Sequence, residues 1–147
     1  MEFKRILCCV DFSANAEKAF YAALNQAEKF NAQVHLLHVL PPVVNPLLTD
    51  IDLAVPDDSR KSLVQQLEDQ MFSEYGGKIT NNIDYCIAVR DGHISSEILN
   101  YISDEKIDLV ILGAYGLSGV ELVLFGSVAK RIAHKAPCSV MIIRETN

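Results

Sequence analysis

The chain alternates between short apolar runs and longer segments with helical spacing. Five runs of five to eight residues are mostly rich in Val, Ile and Leu and bounded by polar or turn-forming residues. Because most are apolar on both faces, they predict strands of a parallel sheet that is covered by helices on each side. The predicted strands are residues 5–10, 33–40, 82–89, 109–113 and 139–144.

Four segments between these runs predict helices. In the first, Ala19, Ala23 and Ala27 recur on one face, with charged residues opposite. The second begins near Asp57 and ends where Gly76 and Gly77 interrupt it, and the fourth ends before a proline. The predicted helices are residues 14–30, about 57–75, 95–105 and 127–135.

Strand-helix alternation with connections of this length predicts parallel pairing through right-handed crossovers. The expected fold is therefore α/β, an open doubly wound five-stranded parallel sheet of order 3-2-1-4-5, in a single domain spanning residues 1–147. In such a sheet the ligand crevice lies between the carboxyl ends of the first and fourth strands. The proline-rich stretch 41–56 is either a lid over this crevice or a long connection.

Charge and composition narrow the class of partner. The net charge of −6 argues against nucleic acid or an anionic membrane as a partner. No apolar segment is long enough for a membrane span or a signal peptide, so the cytoplasm is the expected location. The cysteines have no metal-ligand or redox spacing and are expected to be buried free thiols; they are Cys8, Cys9, Cys86 and Cys138.

A glycine-rich loop follows the fourth predicted strand. Gly113 ends the strand, Gly116 follows it, and Gly126 with Ser127 opens the last helix. Glycines allow backbone N–H groups to approach a phosphate closely, and a helix N-terminus adds unpaired donors and a partial positive charge. The pattern favours an anion site, although glycines at a turn and a serine that caps a helix explain the same residues without a ligand. No Walker lysine is present.

Ordered motifs along the whole chain resemble the universal stress protein family. They include Asp11 after the first strand, Leu36-Leu37-His38-Val39, and Val89-Arg90-Asp91-Gly92 followed by Glu97-Ile98. The spacing G-x2-G-x9-G-S from Gly113 is similar to that of family members that bind ATP. The resemblance implies an adenine-nucleotide alpha-hydrolase-like fold, ATP as the ligand with or without Mg²⁺, and a role in stress response or regulation.

The resemblance also implies roles for individual residues. Asp11 would lie against the ribose or adenine side, with the Cys9 backbone beside it, and the Val39 main chain would read the adenine edge. The remaining implied nucleotide-binding residues are Leu112, Gly113 and Gly116 at the ribose and first phosphates, and Gly126, Ser127 and Val128 at the outer phosphates. The family commonly forms homodimers through the last strand, here Val140 to Ile143.

Several alternatives stay open. The loop carries Ala114, Tyr115 and Leu117 where the family often has Arg or His, and Glu121 adds a negative charge. These departures favour a second hypothesis, a nucleotide-free dimeric interaction module of the same fold. Asp11 also suits a helix cap. No catalytic residue and no metal-binding set can be assigned, so at most slow ATP hydrolysis is expected.

Overall fold

The computed structural model describes residues 1–42, 57–80, 82–115 and 126–144. Within these ranges, strands and helices alternate along the chain in the predicted way, and one short 3₁₀ turn follows the second helix. The strands are β1 (Arg5–Cys9), β2 (Gln33–Leu40), β3 (Tyr85–Asp91), β4 (Leu109–Gly113) and β5 (Ser139–Ile143). The helices are α1 (Ala14–Phe30), α2 (Asp57–Glu74), α3 (Ile94–Asp104) and α4 (Ser127–Lys135), and the 3₁₀ turn is Gly76–Lys78.

The five strands form one sheet in the order β3-β2-β1-β4-β5, and every pairing is parallel. This confirms the predicted doubly wound sheet. The central strand β1 pairs with β2 on one side and β4 on the other, with Leu7 opposite His35 and Val110. The chain reverses its winding direction here, so the crevice opens at the carboxyl ends of β1 and β4.

Two apolar cores cover the two faces of the sheet. One joins α1 and the end of α2 to strand residues such as Ile6 and Cys8. The other joins α3 and α4 to the opposite faces of the strands, including Leu7 and Val110. Neighbouring residues of β1 thus enter different cores, which explains why the strand is apolar at each position from Ile6 to Cys9.

The third strand lies further along the chain than its hydrophobic pattern indicated. The predicted range 82–89 becomes Tyr85–Asp91, because β3 pairs with β2 as far as Leu40 opposite Asp91. Two polar residues extend the strand, each tied to a helix on a different side of the sheet. Arg90 Nη1 donates to Asp104 of α3 at 2.9 Å, and the Asp91 carboxylate accepts two bonds from Arg60 of α2.

Two helices, α2 and α3, differ from the sequence-based bounds, each by one residue. Helix α2 ends at Glu74 rather than 75, and α3 runs one residue earlier than predicted because His93 accepts a hydrogen bond from the Ser96 N–H as its N-cap. The 41–56 stretch, whose role as a lid or a connection the pattern left open, lies outside the described residues from 43 onward.

Candidate functional site

A cavity of about 450 Å³ opens where β1 and β4 end and α4 begins. That volume is within the range of small-molecule sites. The structure brings eight of the nine sequence-predicted ligand residues to its walls, whereas Gly116 lies outside the described part of the chain. The eight are Cys9, Asp11, Val39, Leu112, Gly113, Gly126, Ser127 and Val128.

The turn after β1 presents a carboxylate to the cavity. Asp11 Oδ1 accepts hydrogen bonds from the Ser13 N–H, at 3.0 Å, and from the Ser13 hydroxyl. Ser13 in turn is the N-cap of α1, since its Oγ accepts from the Ala16 N–H at 3.1 Å. Asp11 is therefore not the cap residue itself but supports the cap. In the described part of the chain, Asp11 Oδ2 has no hydrogen-bond donor.

Cys9 lies beside this carboxylate at the end of β1. Burial and the neighbouring Asp11 charge raise the pKa of the Cys9 thiol to about 12. The thiol is thus protonated at neutral pH and carries no negative charge into the cavity. Cys8, on the opposite face, is also a free thiol, and its pKa is raised by burial as well. The predicted burial is complete only for Cys8, because Cys9, Cys86 and Cys138 are partly exposed.

The glycine at the end of β4 has a packing role. A Cβ atom at Gly113 would lie 3.0 Å from the Asn15 Cβ and 3.2 Å from the Asn15 carbonyl carbon and oxygen. Those distances are shorter than ordinary van der Waals contacts, so the glycine allows α1 to approach β4 closely. Gly113 therefore serves the fold as well as lining the cavity.

The start of α4 supplies backbone donors. Gly126 precedes the helix, and its own N–H is already used, because it donates to the Ala114 carbonyl at 2.7 Å. The first intrahelical bond runs from the Lys130 N–H to the Gly126 carbonyl. The N–H groups of Ser127, Val128 and Ala129 precede that bond and have no acceptor in the described part of the structure. These three N–H groups, with the Ser127 hydroxyl, form the donor set for an anion.

An apolar wall faces these donors. Ile94 and Ile98 of α3 line the cavity together with Val39 and Pro41 at the end of β2. Sequence reasoning missed the two isoleucines and Ala129, although the rule that the first helical N–H groups are unpaired predicts Ala129. Asp11 is the only Asp, Glu, Lys or Arg among the described residues that line the cavity.

The histidines on β2 point to opposite sides of the sheet, as the strand period predicts. His35 packs against Tyr101 of α3, and His38 packs against Phe12 after β1. Among the described residues, no group of three metal-ligating side chains comes together, and no helix is long and apolar enough to cross a membrane.

The fold and this cavity define a doubly wound α/β protein with a ligand cleft at its switch point and a helix N-terminus aimed into the cleft. The chain belongs to the universal stress protein family, whose pattern it matches over residues 2–144. Its fold is the adenine-nucleotide alpha-hydrolase-like fold of that family.

Similar proteins cover nearly the whole chain. Universal stress protein YxiE of Bacillus subtilis is 28% identical in an alignment of 153 positions that covers 97% of this chain and 99% of YxiE. The structure of universal stress protein UspA from Lactobacillus plantarum superposes with a TM-score of 0.77 at 27% identity, covering 98% of this chain and 99% of that one. The structure of the universal stress protein from Archaeoglobus fulgidus in complex with dAMP has a TM-score of 0.59 at 18% identity, covering 97% and 99%.

Proposed function

We propose that this protein binds an adenine nucleotide, ATP in particular, in the cavity at the switch point and acts as a homodimeric stress-response or regulatory protein. The observation that carries the proposal is the meeting of the Asp11 carboxylate and the α4 donor set in one cavity. The carboxylate suits ribose hydroxyls or an adenine amino group, whereas the N–H groups suit phosphate oxygens. The dAMP complex of the A. fulgidus relative supports the ligand class.

The glycine loop has no basic side chain, so binding of a triphosphate would depend on uncharged donors and on a metal ion. The loop from Gly113 to Val128 has Glu121 as its only charged residue. Without Lys or Arg there, the outer phosphates rely on the Ser127, Val128 and Ala129 N–H groups. Mg²⁺ would be held mainly by phosphate oxygens and water, since the described residues offer no cluster of protein ligands. We therefore expect MgATP to bind more tightly than metal-free ATP.

The test is a calorimetric titration of nucleotide-stripped protein with MgATP, ATP in EDTA, and AMP. We expect micromolar binding of MgATP and much weaker binding of AMP. Ser127→Ala should weaken MgATP binding by about tenfold to a hundredfold through loss of one hydroxyl donor to a charged acceptor. Ser139→Ala is the matched control, because Ser139 begins β5 at the opposite end of the sheet. Absence of binding at millimolar MgATP would contradict the proposal.

The expected dimer interface is the edge strand β5. Within the described sheet, β5 pairs only with β4, and its residues from Val140 to Ile143 are partly exposed. An apolar sheet edge of this kind is suited to covering by a second copy. Sedimentation velocity with and without MgATP measures the dimer and whether the ligand changes it. A monomer at all concentrations tested would contradict this part of the proposal.

The absence of basic residues from the glycine loop favours a second candidate, a dimeric interaction module that binds no nucleotide. Analysis of the freshly purified protein separates the two, since co-purified adenine nucleotide supports the first candidate. Both candidates lack an assigned nucleophile or general base, so we expect ATP hydrolysis to be slow or absent.

A further inference from the structure

An aromatic residue directly after Asp11 has an unusual backbone conformation. Phe12 has a φ of +65°, in the left-handed region that bulky side chains rarely adopt. Such a conformation costs free energy and persists only where surrounding contacts hold it. Phe12 directly follows Asp11, the only Asp, Glu, Lys or Arg in the described cavity lining, so this strained backbone lies next to the proposed site.

The contacts that hold Phe12 come from two other elements. Its ring stacks on Tyr75 with centroids 5.8 Å apart and an interplanar angle of 29°, and it lies 5.1 Å from the His38 ring. Tyr75 is only 3% exposed and directly follows the last residue of α2. Burial raises the pKa of the Tyr75 phenol, and a backbone hydrogen bond from Phe12 lowers it to a smaller extent.

The residue before Asp11 is also held. The Val10 N–H donates to the Leu37 carbonyl at 2.9 Å, and the Val10 carbonyl accepts from His38 Nδ1 at 2.8 Å. Hydrogen bonds therefore fix the backbone on one side of Asp11, and ring packing fixes it on the other. Because Ser13 donates a hydrogen bond to Asp11 Oδ1, the backbone conformation of residues 10–12 sets the direction in which Oδ2 points.

We propose that Tyr75 is a positioning residue for the nucleotide site, which holds Phe12 in its left-handed conformation and thereby aims the Asp11 carboxylate into the cavity. The inference rests on the proposed function, since it gives a residue that directly follows α2 a part in nucleotide binding although no described residue of α2 lines the cavity. Tyr75 itself does not line the cavity.

A double-mutant cycle tests the inference through MgATP affinity. We expect Asp11→Ala to weaken binding about tenfold and Tyr75→Leu to weaken it about fivefold. In the Asp11→Ala background, Tyr75→Leu should have less than about a twofold effect, because residues that act through one another are not additive. Tyr75→Phe, which keeps the stacked ring but loses the hydrogen bond from the Phe12 backbone, should bind MgATP more tightly than Tyr75→Leu and less tightly than the wild type.

Two further variants separate positioning from stability. Met71→Ala removes a fully buried side chain of α2, the helix that Tyr75 follows, and should lower thermal stability without changing the affinity more than about twofold. Phe12→Gly keeps the left-handed turn accessible without strain but removes the ring contacts, so it should weaken binding even if Tyr75→Leu does not fold.

The outcomes are distinct. If the wild-type protein binds MgATP and Asp11→Ala weakens it, but the Tyr75 effect is equally large in both backgrounds, the positioning role is overturned and the proposed function stands. Unchanged affinity in Phe12→Gly would overturn the positioning role in the same way. If the wild-type protein binds no adenine nucleotide, both the proposed function and the inference fail.

Discussion

Replacing Gly113 tests whether this glycine is required by packing rather than by a ligand alone. In Gly113→Ala, the new Cβ would lie 3.0 Å from the Asn15 Cβ and 3.2 Å from two Asn15 backbone atoms. Asn15 belongs to the first turn of α1, so relief requires the helix to move away from β4. Overpacking of this kind costs about 1–3 kcal/mol. At an unstrained site the same substitution stabilises a protein by about 0.4–1 kcal/mol, so the sign of the effect is diagnostic.

The assay is urea unfolding followed by far-UV circular dichroism, without ligand. We expect the midpoint to fall for Gly113→Ala with an unchanged m-value, and the melting temperature to fall by roughly 2–4 °C for each kcal/mol. Gly77→Ala is the matched control, because in the described part of the structure no atom beyond its chain neighbours lies within 4 Å of the added Cβ, and it should be neutral or stabilising. A Gly113→Ala protein as stable as the wild type would refute the packing argument. Affinity losses in Gly113 variants must therefore be compared at equal folded fraction.

Two further predictions concern titratable groups. Burial lowers the pKa of His35 below its ordinary 6.5, so the unfolded chain takes up a proton more readily than the folded protein as pH falls. The free energy of unfolding should therefore decrease below about pH 6.5, and His35 contributes at most about 1.4 kcal/mol per pH unit to this decrease. Chemical denaturation at pH 7.5 and 5.5 should show a smaller decrease for His35→Gln than for the wild type. An equal decrease in both proteins would contradict the assignment to His35. Because the pKa of Cys9 is raised to about 12, iodoacetamide at pH 8 should leave Cys9 unmodified in the folded protein and modify it in urea. Mass spectrometry measures the modification, and rapid modification without urea would contradict the raised pKa.

The basis of the His35 prediction is a buried hydrogen-bond network. His35 Nε2 lies 3.0 Å from Gln33 Oε1, which only accepts, so Nε2 carries the proton. His35 Nδ1 then accepts from the Tyr101 hydroxyl at 2.8 Å. A second proton on Nδ1 would turn this acceptor into a donor and reverse the Tyr101 bond. Burial therefore favours the neutral form and lowers the pKa of His35, while the nearby Glu105 and Asp84 charges oppose this shift and Arg5 adds to it.

Most of the architecture could be predicted because local patterns and global packing agree. The bounds of α1, β2, β4 and α4 match the structure, since each is delimited by a turn residue, a cap or a proline. The error at β3 arose because Arg90 and Asp91 are polar and do not extend an apolar run. Pairing with β2 and the ion pairs to α2 and α3 extend the strand there.

The candidate site was predictable at the level of segments and less so at the level of atoms. Resemblance and spacing brought Asp11, Gly113 and Ser127 to attention, and the structure places them around one cavity. The same reasoning could not predict that the Gly126 N–H already donates a hydrogen bond to the Ala114 carbonyl. Nor could it find Ile94, which begins α3 and lines the cavity together with Val39 at the end of β2.

The sequence by itself determined the layers, the strand order and the edge of the sheet at which the candidate cavity opens, because hydrophobic periodicity and crossover handedness depend on local chemistry. Only the tertiary structure decided which backbone donors remain unpaired, which glycine is required by a neighbouring helix, and which ring holds the turn at Phe12. These depend on contacts between residues far apart in the chain, such as Gly113 with Asn15 and Phe12 with Tyr75, whose distances no local pattern specifies.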